Sequence, residues 1–585
     1  MKQFFKFLLA SCLGTILAFG ALFFLMFAIG SAFSSRDVSV GKDAVLMLEL
    51  DALIPEKTDN VEQDPFDFEA KKAIGVHHIE DLIYKARTDK NIKGIVYKAG
   101  FATSGGVVTH SIIREAIESF KDSTDKFVYS YGDFFTNNNY LIASAADSIF
   151  VNPNGMLDIN GYGAMIPFFK EMLDKIGIKM NVFYAGNFKS ATEPFRRTDM
   201  SPENRQQTRE YLQDNFDLYV DEVCRSRNIE EEDFIKIVNE LAFNNVDRAV
   251  DFGLIDGKIY WYEFEELLRE RLGLSVGKKI NYVDLQEYES KSYISKGKSS
   301  NKIAVIYAEG EIMYDNDQRG IVSEVKYHKI FDKIKKNDDI KAVVLRVNSP
   351  GGSAFSSNII WKEIEELKAR GLPVIASFGD YAASGGYYIS AGADTIVAHP
   401  KTLTGSIGVF SLLPNMSELF NDKLGIQFDT VKISPNALAI SPFYDLNQNE
   451  SSSLQSWTDE LYNQFLSIVA EGRGMTVEDV HAVAQGRVWT GQKAVEKGLV
   501  DLLGDLDDAI EIAADKADIS DDFRIVSYPY IKKEPWEQLL EDLSKMEEVK
   551  TRMPSVEDQL LKKFKEVHAV VKYREPMARL PFVVQ

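Results

Sequence analysis

The sequence predicts an α/β protein made of two tandem, duplicated halves that follow an amino-terminal transmembrane helix. Three observations support this prediction. Short β-branched runs alternate with helix-like stretches. Segments of the first half recur in the second half at a near-constant distance, and the chain begins with a long apolar run.

The composition is that of a globular protein and excludes several classes of function. Of the 585 residues, 45% are hydrophobic and 26% are charged, and the formal net charge is -21. No nucleic-acid partner is expected, because phosphate binding needs a basic surface. Two cysteines are too few for a disulfide framework.

The first segment is predicted to be an uncleaved membrane anchor over residues 1–36. No charged residue occurs between Lys6 and Arg36, and this run exceeds the roughly 20 residues that cross a bilayer core. A secretory signal has a shorter apolar part, about 7–15 residues, so a cleaved signal peptide is the second interpretation. Lys2 and Lys6 precede the run. They predict a single-pass protein of the cytoplasmic (inner) membrane, with its amino terminus in the cytoplasm and its body on the periplasmic or extracytoplasmic side.

The internal repeat is visible in several matched segments. Ile92–Ala99 (IKGIVYKA) matches Ile340–Val347 (IKAVVLRV) at an offset of 248 residues. Tyr131–Pro153 matches Phe378–Pro400 at an offset of 247. Near-constant offsets over such a distance indicate a duplication.

The repeat and the composition divide the chain into five parts. A polar stretch without apolar periodicity separates the halves, and a charged, helix-prone tail follows the second half. The predicted parts are the anchor (1–36), the first half (37–290), a linker (291–301), the second half (302–533) and a helical carboxy-terminal tail (534–585).

Within each half, strand-like and helix-like segments alternate. VVLRV is followed by a glycine turn and then by the periodic SNIIWKEIEELKARG, and the strand-like PVIASF is followed by a second glycine loop. This order is typical of parallel strands joined by crossover helices.

Two glycine-rich loops of the second half are candidates for chemistry. Asn348–Gly352 follows a strand, and its glycines allow backbone N–H groups to face a ligand. Gly379–Gly386 places Ser384 among small residues at a strand-to-helix junction, where developing negative charge is favoured. Such a serine can also be an ordinary helix cap. A phosphate site is disfavoured, because no GxxxxGK[ST] motif occurs.

A nucleophilic serine needs a base, and the seven histidines offer a poor one. Only His399 lies near the loop in sequence, and its counterpart in the first half is Asn152. We therefore expect His399 to be a surface turn residue. Aspartates that recur in both halves are more easily explained by the fold than by catalysis; they are Asp380 and Asp394, with Asp133 and Asp147 as counterparts.

The differences between the halves indicate a lysine base. The counterpart of Ser384 is Asn137, which cannot be a nucleophile. Lys189 lies among phenylalanines and small residues, and its counterpart is Ala437. Burial lowers the pKa of a lysine and makes it a base. Taken by itself, Lys189 is interpreted as a surface lysine. Its pairing with Ser384 favours a catalytic role, because one half would then supply the serine and the other the lysine.

At this point the sequence resembles the signal peptide peptidase A family in its long, duplicated bacterial form. The resemblance covers the chain from the anchor to about Ile531. Five motifs carry it in order: GNFKSATEPFRRTDMSPENR (Gly186–Arg205), LRVNSPGGS (Leu345–Ser353), ASGGYYIS (Ala383–Ser390), LTGSIGVF (Leu403–Phe410) and GRVWTGQKAVEKGLVDLLG (Gly486–Gly504).

The resemblance implies a fold and a set of site residues. The fold would be tandem ClpP/crotonase-like domains. Ser384 would be the nucleophile, Lys189 the general base and acid, and Ser406 the residue that orients the lysine. The oxyanion hole would be formed by the backbone N–H groups of Gly351, Gly352 and Gly385. Because the chain splits serine and lysine between halves, they would meet across a domain or protomer boundary.

The resemblance also implies an activity and partners. The protein would be a membrane-anchored serine endopeptidase that degrades cleaved signal peptides and other apolar peptides, and it would form a homo-oligomeric, tetramer-like ring. No cofactor and no metal are expected, because no HExxH motif or His/Cys cluster occurs. The alternatives are a broader membrane-protein quality-control protease, a catalytically silent scaffold and a crotonase-type acyl-CoA enzyme.

Overall fold

The computed structural model describes residues 40–61, 72–100, 104–240, 246–291, 299–434, 436–438, 440–530 and 577–579, together with residue 14. The predicted anchor, apart from that one residue, lies outside the described residues, as do most of the predicted linker and tail. Within the described ranges, no helix combines the length and the apolar character that crossing a bilayer requires.

The first half is built on a parallel sheet with the strand order β6-β4-β3-β2-β1-β7. Its central strands are nearly continuous apolar runs because helices cover both faces of the sheet. The strands of this half, of which β5 belongs to another sheet, are β1 (Ala44–Glu49), β2 (Ile92–Ala99), β3 (Phe127–Thr136), β4 (Ser148–Asp158), β5 (Lys179–Tyr184), β6 (Gly257–Lys258) and β7 (Asn281–Asp284).

The helices of the first half surround this sheet, and Ser190–Thr192 forms one 3₁₀ turn. Ser201 caps the longest of them by accepting a hydrogen bond from the Asn204 backbone, and Asn228 ends it in the left-handed conformation. The helices are α1 (Val76–Thr88), α2 (Val107–Asp122), α3 (Asn137–Ala143), α4 (Lys170–Ile176), α5 (Glu193–Arg196), α6 (Pro202–Arg227), α7 (Glu231–Asn239), α8 (Val246–Asp251), α9 (Trp261–Arg271) and α10 (Leu285–Lys291).

The second half repeats this sheet in the order β17-β15-β13-β11-β8-β19, with β14 attached to β13 and β18 attached to β14. All pairs are parallel except β15 with β17. The strands of this half and the tail are β8 (Lys302–Glu309), β9 (Glu311–Ile312), β10 (Ile321–Val322), β11 (Ile340–Ser349), β12 (Gly351–Ser353), β13 (Val374–Ala383), β14 (Thr395–Ala398), β15 (Leu403–Gly405), β16 (Phe410–Asn415), β17 (Val488–Thr490), β18 (Leu502–Leu503), β19 (Arg524–Tyr528) and β20 (Met577–Arg579).

The helices of the second half complete the repeat, and Leu419–Lys423 forms a π-helical turn. They are α11 (Glu324–Lys335), α12 (Ala354–Ala369), α13 (Gly385–Ser390), α14 (Gln448–Arg473), α15 (Val477–Val483), α16 (Gly491–Glu496) and α17 (Leu506–Lys516). In both main sheets the first strand along the chain pairs with the next strand of that sheet and with the last one. The predicted tandem α/β architecture is therefore confirmed.

A third sheet joins the halves beside the candidate site, in the order β10-β9-β12-β20-β16-β5. Strand β5 of the first half pairs antiparallel with β16 of the second over six residues on each strand. Strand β20, the described part of the predicted helical tail, lies between β12 and β16.

Buried polar contacts also fasten the halves together. Arg346 Nε donates to the Glu56 carboxylate at 2.9 Å, and both side chains are almost fully buried. Asp380 of the second half accepts hydrogen bonds from the Val108 and Thr109 backbones at 2.8 and 3.1 Å, at the start of α2. These contacts hold the first half in a fixed position against the strand that leads to Ser384.

Candidate active site

Ser384 lies between the end of β13 and the start of α13, fully buried in the described chain. Its backbone has φ 57° and ψ -115°, a conformation that costs a non-glycine residue about 1–3 kcal/mol. Its backbone N–H donates to the Gly405 carbonyl at 2.8 Å. The surrounding strands therefore hold the serine in a strained turn, which fixes the direction of its side chain.

Lys189 lies in the loop that follows β5, directly before the 3₁₀ turn. The Phe188 backbone donates to the Gln485 carbonyl of the second half at 2.9 Å. Gly486 has φ 79°, and a Cβ there would lie 2.6 Å from Lys189 backbone atoms. Only glycine allows the second half to approach the lysine loop this closely.

The structure brings Lys189 and Ser384 together within one chain, across the boundary between the halves. Lys189 Nζ lies 2.8 Å from Ser384 Oγ. It also lies 3.0 Å from Ser406 Oγ and 3.0 Å from the Ser406 carbonyl oxygen. These three oxygen atoms fix the amine in front of the Ser384 hydroxyl.

The environment of Lys189 favours its neutral form. The side chain is buried, and this burial lowers its pKa well below the ordinary value. Among the described residues, no carboxylate lies within ion-pair distance of Nζ to oppose this effect. A neutral amine has a lone pair that can accept the Ser384 proton while its two N–H groups donate to Ser406.

Ser406, like Ser384 and Lys189, is buried and is fixed by backbone contacts. It is buried with φ 51°, and its backbone N–H donates to the Arg487 carbonyl at 2.7 Å. The predicted lysine-orienting residue therefore contacts the lysine through two of its atoms. Its role in a reaction stays a prediction.

The glycines predicted for the oxyanion hole lie on the helix that follows Ser384 and on the strand that this helix contacts. Gly351 and Gly352 form the start of β12, which contacts α13, and Gly385 is the first residue of α13. Gly352 has φ 156°, and a Cβ there would lie 1.9 Å from the Ile312 carbonyl oxygen. No other residue fits at this position without a backbone shift, so the shape of the strand depends on this glycine.

The counterparts of Ser384 and Lys189 form no second site in the described part of the chain. The Asn137 amide donates to the Gly161 carbonyl at 2.8 Å, and Ala437 lies on the surface. His399 is buried, so the expectation of a surface residue was wrong; it lies 3.4 Å from Glu115. No contact between His399 and Ser384 occurs in the described part of the chain. Around all these positions, the described residues include no group of three His, Cys, Asp or Glu side chains that could hold a metal.

Sequence reasoning missed Gln207, which clamps the lysine loop to the second half. Its amide donates to the Phe188 carbonyl at 3.1 Å and to Ser190 Oγ at 2.9 Å. Its carbonyl oxygen accepts a hydrogen bond from the Val488 backbone at 3.2 Å. Gln207 follows the motif Gly186–Arg205 by two residues, and nothing in its local sequence indicates this task.

The shared aspartates divide into two kinds. Asp394 and Asp147 each accept a hydrogen bond at 2.8 Å from the backbone at the start of the preceding strand, Val374 and Val128 respectively. This common role supports the interpretation from the fold. Asp380 instead caps α2 of the other half, so its role differs from that of its counterpart in the first half.

Comparison with known proteins identifies a family and several relatives with similar sequences. The family model described as peptidase family S49 matches residues 119–275 and 366–520. Protease 4 of Haemophilus influenzae is 32% identical over 500 residues, covering 83% of this chain and 80% of that protein. Protease 4 of Salmonella typhi is 35% identical over 446 residues, covering 75% of this chain and 71% of that protein.

Shorter and more distant matches accompany these relatives. A putative signal peptide peptidase SppA of Enterococcus faecium is 37% identical over 223 residues, which cover 37% of this chain and 64% of that protein. Among solved structures, a ClpP1 mutant from Listeria monocytogenes matches with 13% identity and a TM-score of 0.23. The match covers 35% of this chain and 94% of that chain.

Proposed function

The chain belongs to peptidase family S49 and is a serine peptidase, and on that premise we propose that Ser384 is its nucleophile and Lys189 its general base. The observation that carries this proposal is the 2.8 Å distance between Lys189 Nζ and Ser384 Oγ. It is supported by the burial that lowers the pKa of the lysine.

The proposed reaction proceeds through an acyl-enzyme. Lys189 takes the Ser384 proton as Oγ attacks the carbonyl carbon of the scissile peptide bond. The resulting ammonium then gives that proton to the leaving nitrogen, and the C–N bond breaks. A water molecule, deprotonated by Lys189, attacks the ester and releases the new carboxylate, while Ser384 Oγ recovers a proton.

Two groups of residues assist these steps in the proposal. The hydroxyl and carbonyl of Ser406 keep the amine directed at Ser384 in both of its protonation states. The backbone N–H groups of Gly351, Gly352 and Gly385 stabilise the negative oxygen of the tetrahedral intermediate. Removal of one such donor typically lowers a rate about 10²–10³-fold.

We propose that the substrates are cleaved signal peptides at the cytoplasmic membrane. The resemblance in the motifs and the name of the Enterococcus faecium relative support this substrate class. The predicted anchor of residues 1–36 would hold the body on the extracytoplasmic side, next to peptides left in the bilayer.

We also propose that the protein assembles head to tail from copies of itself. The duplication supports this proposal. Strands β16 and β5 pair with each other within the chain, whereas the segments that correspond to them in the opposite halves are described without a strand partner. At the offsets of the repeat these counterparts are residues 163–168 and 427–432, which the structure describes without strand partners. Met165 and Val431 there are 97% and 94% exposed. Residues 427–432 of one copy would pair with residues 163–168 of the next.

The decisive experiment is hydrolysis of a defined signal peptide by the purified full chain in detergent. Wild-type protein should cleave the peptide and Ser384→Ala should not. Equal cleavage by both proteins would disprove the proposed nucleophile. Cleavage of folded membrane proteins at a similar rate would instead favour a broader quality-control role.

A further inference from the structure

A tight turn of the second half, Ala484–Arg487, lies beside the residues that surround the candidate nucleophile. The turn is closed by a hydrogen bond from the Arg487 N–H to the Ala484 carbonyl at 2.9 Å. Its two central residues, Gln485 and Gly486, have φ 56° and 79°. Positive φ at both central positions is typical of a mirror-image turn, in which glycine, asparagine and aspartate are the usual residues. Gln485 adopts this conformation against its own preference, so other contacts must hold the turn.

On one side the turn contacts the loop that carries Lys189. The Gln485 carbonyl accepts a hydrogen bond from the Phe188 N–H at 2.9 Å. A Cβ on Gly486 would lie 2.6 Å from the backbone nitrogen and the Cα of Lys189. A Cβ on Gly186 would likewise lie 2.4 Å from the carbonyl group of Gln485. Because the two backbones are in direct contact, a displacement of the turn would also displace the lysine.

On its other side the turn contacts the segment that carries Ser406. The Ser406 N–H donates to the Arg487 carbonyl at 2.7 Å, and the Gly486 N–H donates to the Ile407 carbonyl at 2.8 Å. Ser406 contacts the Lys189 amine through its hydroxyl and its carbonyl oxygen, each at 3.0 Å. The turn therefore fixes the positions of Lys189 and Ser406 relative to each other.

A buried tyrosine hydroxyl supports the strained residue of the turn. Tyr462 lies in α14, and its hydroxyl oxygen accepts a hydrogen bond from the Gln485 N–H at 3.1 Å. The same hydroxyl lies 3.0 Å from His481 Nδ1. Because the oxygen accepts from the backbone, its hydrogen can be donated to that ring nitrogen. The backbone N–H, the phenol and the imidazole thus form a chain from the turn to His481, which is exposed.

The duplication carries this polar pair in one half only. Helices α6 and α14 both have 26 residues, and their first residues, 202 and 448, are 246 positions apart. Helices α7 and α15 begin at residues 231 and 477, which gives the same offset. At this offset Tyr462 corresponds to Phe216, and His481 corresponds to Ile235. An apolar pair therefore takes the place of the polar one in the repeat whose lysine counterpart is Ala437.

We propose that Tyr462 is a positioning residue, whose hydroxyl holds the turn Ala484–Arg487 in the shape that keeps the Lys189 amine in front of Ser384. The proposal rests on the function proposed above. The effect of the hydroxyl passes through the Gln485 backbone to the lysine loop. Loss of the hydroxyl would leave the Gln485 N–H without this acceptor, and the glutamine would relax toward negative φ. The turn would then move away from the lysine that it fixes.

The first test measures hydrolysis of a defined signal peptide by Tyr462→Phe, the residue that the first half carries. This variant should lower kcat about 10-fold to 100-fold, because misplacement of a reacting group by about 1 Å can cost about 10²-fold. KM should stay within about twofold of wild type, since the peptide contacts are retained. Lys189 serves both acylation and deacylation in the proposed reaction, so kcat should fall whichever step is slower.

Tyr327→Phe is the matched control. Tyr327 is buried in the same half, and its hydroxyl donates to the Tyr307 carbonyl at 2.6 Å. Both variants therefore lose one buried hydroxyl and should show lower midpoints in urea, but only Tyr462→Phe should lower kcat. An equal loss of kcat in the two variants, or no loss in Tyr462→Phe, would overturn the proposal.

The second test asks whether Tyr462 acts through the turn. Glycine adopts positive φ without strain, so Gln485→Gly should keep the turn in shape even without the hydroxyl. In that background, Tyr462→Phe should lower kcat by less than about threefold, and the two substitutions should be non-additive. A reduction of one size in both backgrounds would show that the tyrosine does not act through Gln485.

The third test separates failure of this proposal from failure of the proposed function. Crystal structures of Tyr462→Phe and Tyr327→Phe measure the distance from Lys189 Nζ to Ser384 Oγ without any assay of activity. The distance should increase by about 1 Å in the first variant and stay near 2.8 Å in the second. An unmoved turn in Tyr462→Phe would refute the positioning role. If the lysine moves while Ser384→Ala still cleaves like wild type, the catalytic assignment is wrong and the positioning of Lys189 by Tyr462 stands.

Discussion

At the scale of single residues, Lys189 is unusual because it is buried and its amine, among the described residues, forms hydrogen bonds with neutral oxygens only. A buried ammonium is costly unless a carboxylate is near, so the fold selects the neutral amine. A lysine exposed to water would be protonated at neutral pH, since its ordinary pKa is about 10.4. Burial by the second half is therefore what would allow this side chain to act as the proposed base.

We predict that Lys189→Met lowers kcat/KM about 10²–10⁴-fold, the usual contribution of a positioned base. Methionine keeps the length and apolar stem of the side chain but cannot accept a proton. Lys179→Met, a change of an exposed lysine at the start of β5, serves as the control and should have little effect. Activity of Lys189→Met within a few fold of wild type would exclude the lysine as the base.

The pH dependence of kcat/KM should follow the ionisation of Lys189. The protonated amine cannot accept the Ser384 proton, so activity should fall as the pH decreases through the pKa of the lysine. Because burial lowers that pKa, the limb should lie well below the ordinary value and leave the enzyme active near neutral pH. A rate that rises only near pH ~10 would show that the lysine is not shifted.

At the scale of elements, the contacts between the halves are polar and buried. Asp380 serves as the cap of α2 in the other half: its carboxylate accepts from Gly106, Val108 and Thr109. Hydrogen bonds to a charged group are worth about 1.5–3 kcal/mol each when buried. The strand that ends at Ser384 is therefore fixed from the opposite half.

We predict that Asp380→Asn lowers the free energy of unfolding by about 1–3 kcal/mol. The asparagine NH₂ group would face backbone N–H groups that now donate to the carboxylate, and those hydrogen bonds would be lost. The duplication supplies the matched control. Asp133→Asn changes the exposed counterpart, which contacts Asn152 at 2.9 Å, and should change stability by less than about 0.5 kcal/mol. Urea titrations of both variants measure the difference, and equal midpoints would contradict the assigned role.

A second prediction at this scale concerns His77, which lies 3.3 Å from Glu56 and 3.1 Å from Glu80. Burial opposes its protonation, but the two carboxylates outweigh burial and raise its pKa to about 9. Its stabilising effect should be complete below pH ~6.5 and lost as the pH rises toward about 9. The loss should reach at most about 3 kcal/mol.

Variants at His77 and Glu80 test this prediction. His77→Gln should flatten the decline of stability over that pH range, and Glu80→Gln should flatten part of it. Thermal unfolding at several pH values measures the slope. A wild-type slope retained in His77→Gln would mean that other groups cause the decline.

Part of the candidate site could be predicted from the sequence, because the two halves carry different residues at two matched positions where a nucleophile and a base could stand. Without any geometry, the pairs Ser384 with Asn137 and Lys189 with Ala437 indicated the two residues that the structure places 2.8 Å apart and that we propose to be reactive. Gln207 and Asp380 could not be found this way. Their partners lie in the other half, hundreds of residues away, and local periodicity carries no information about such contacts. The strand in the tail was missed for the same reason.

At the scale of the whole molecule, the duplication leaves two strand counterparts without partners in the described chain. Residues 163–168 and 427–432 present apolar side chains to solvent, which is unusual unless another chain covers them. The intramolecular pairing of β5 with β16 shows what geometry such a cover would take. The strand pairing seen between the two halves of one chain would then recur between neighbouring copies.

We predict that Val431→Glu dissociates this assembly into single chains of 65.9 kDa. A charge in a paired, apolar strand edge opposes association. Val276→Glu is the control, because Val276 is 88% exposed but lies outside both counterparts. Light scattering in detergent should show a smaller particle only for Val431→Glu. Particles of one size for all three proteins would contradict head-to-tail pairing through this segment.

The separation of Lys189 and Ser384 between two halves also has a consequence for the life of the chain in the cell. During synthesis the lysine emerges long before the serine, and neither half alone contains both. Under the proposed function, a chain that is truncated, stalled or cut between the halves would therefore lack one of the two reactive residues. Under the same proposal, neither half could be deleted from the gene without loss of the active site.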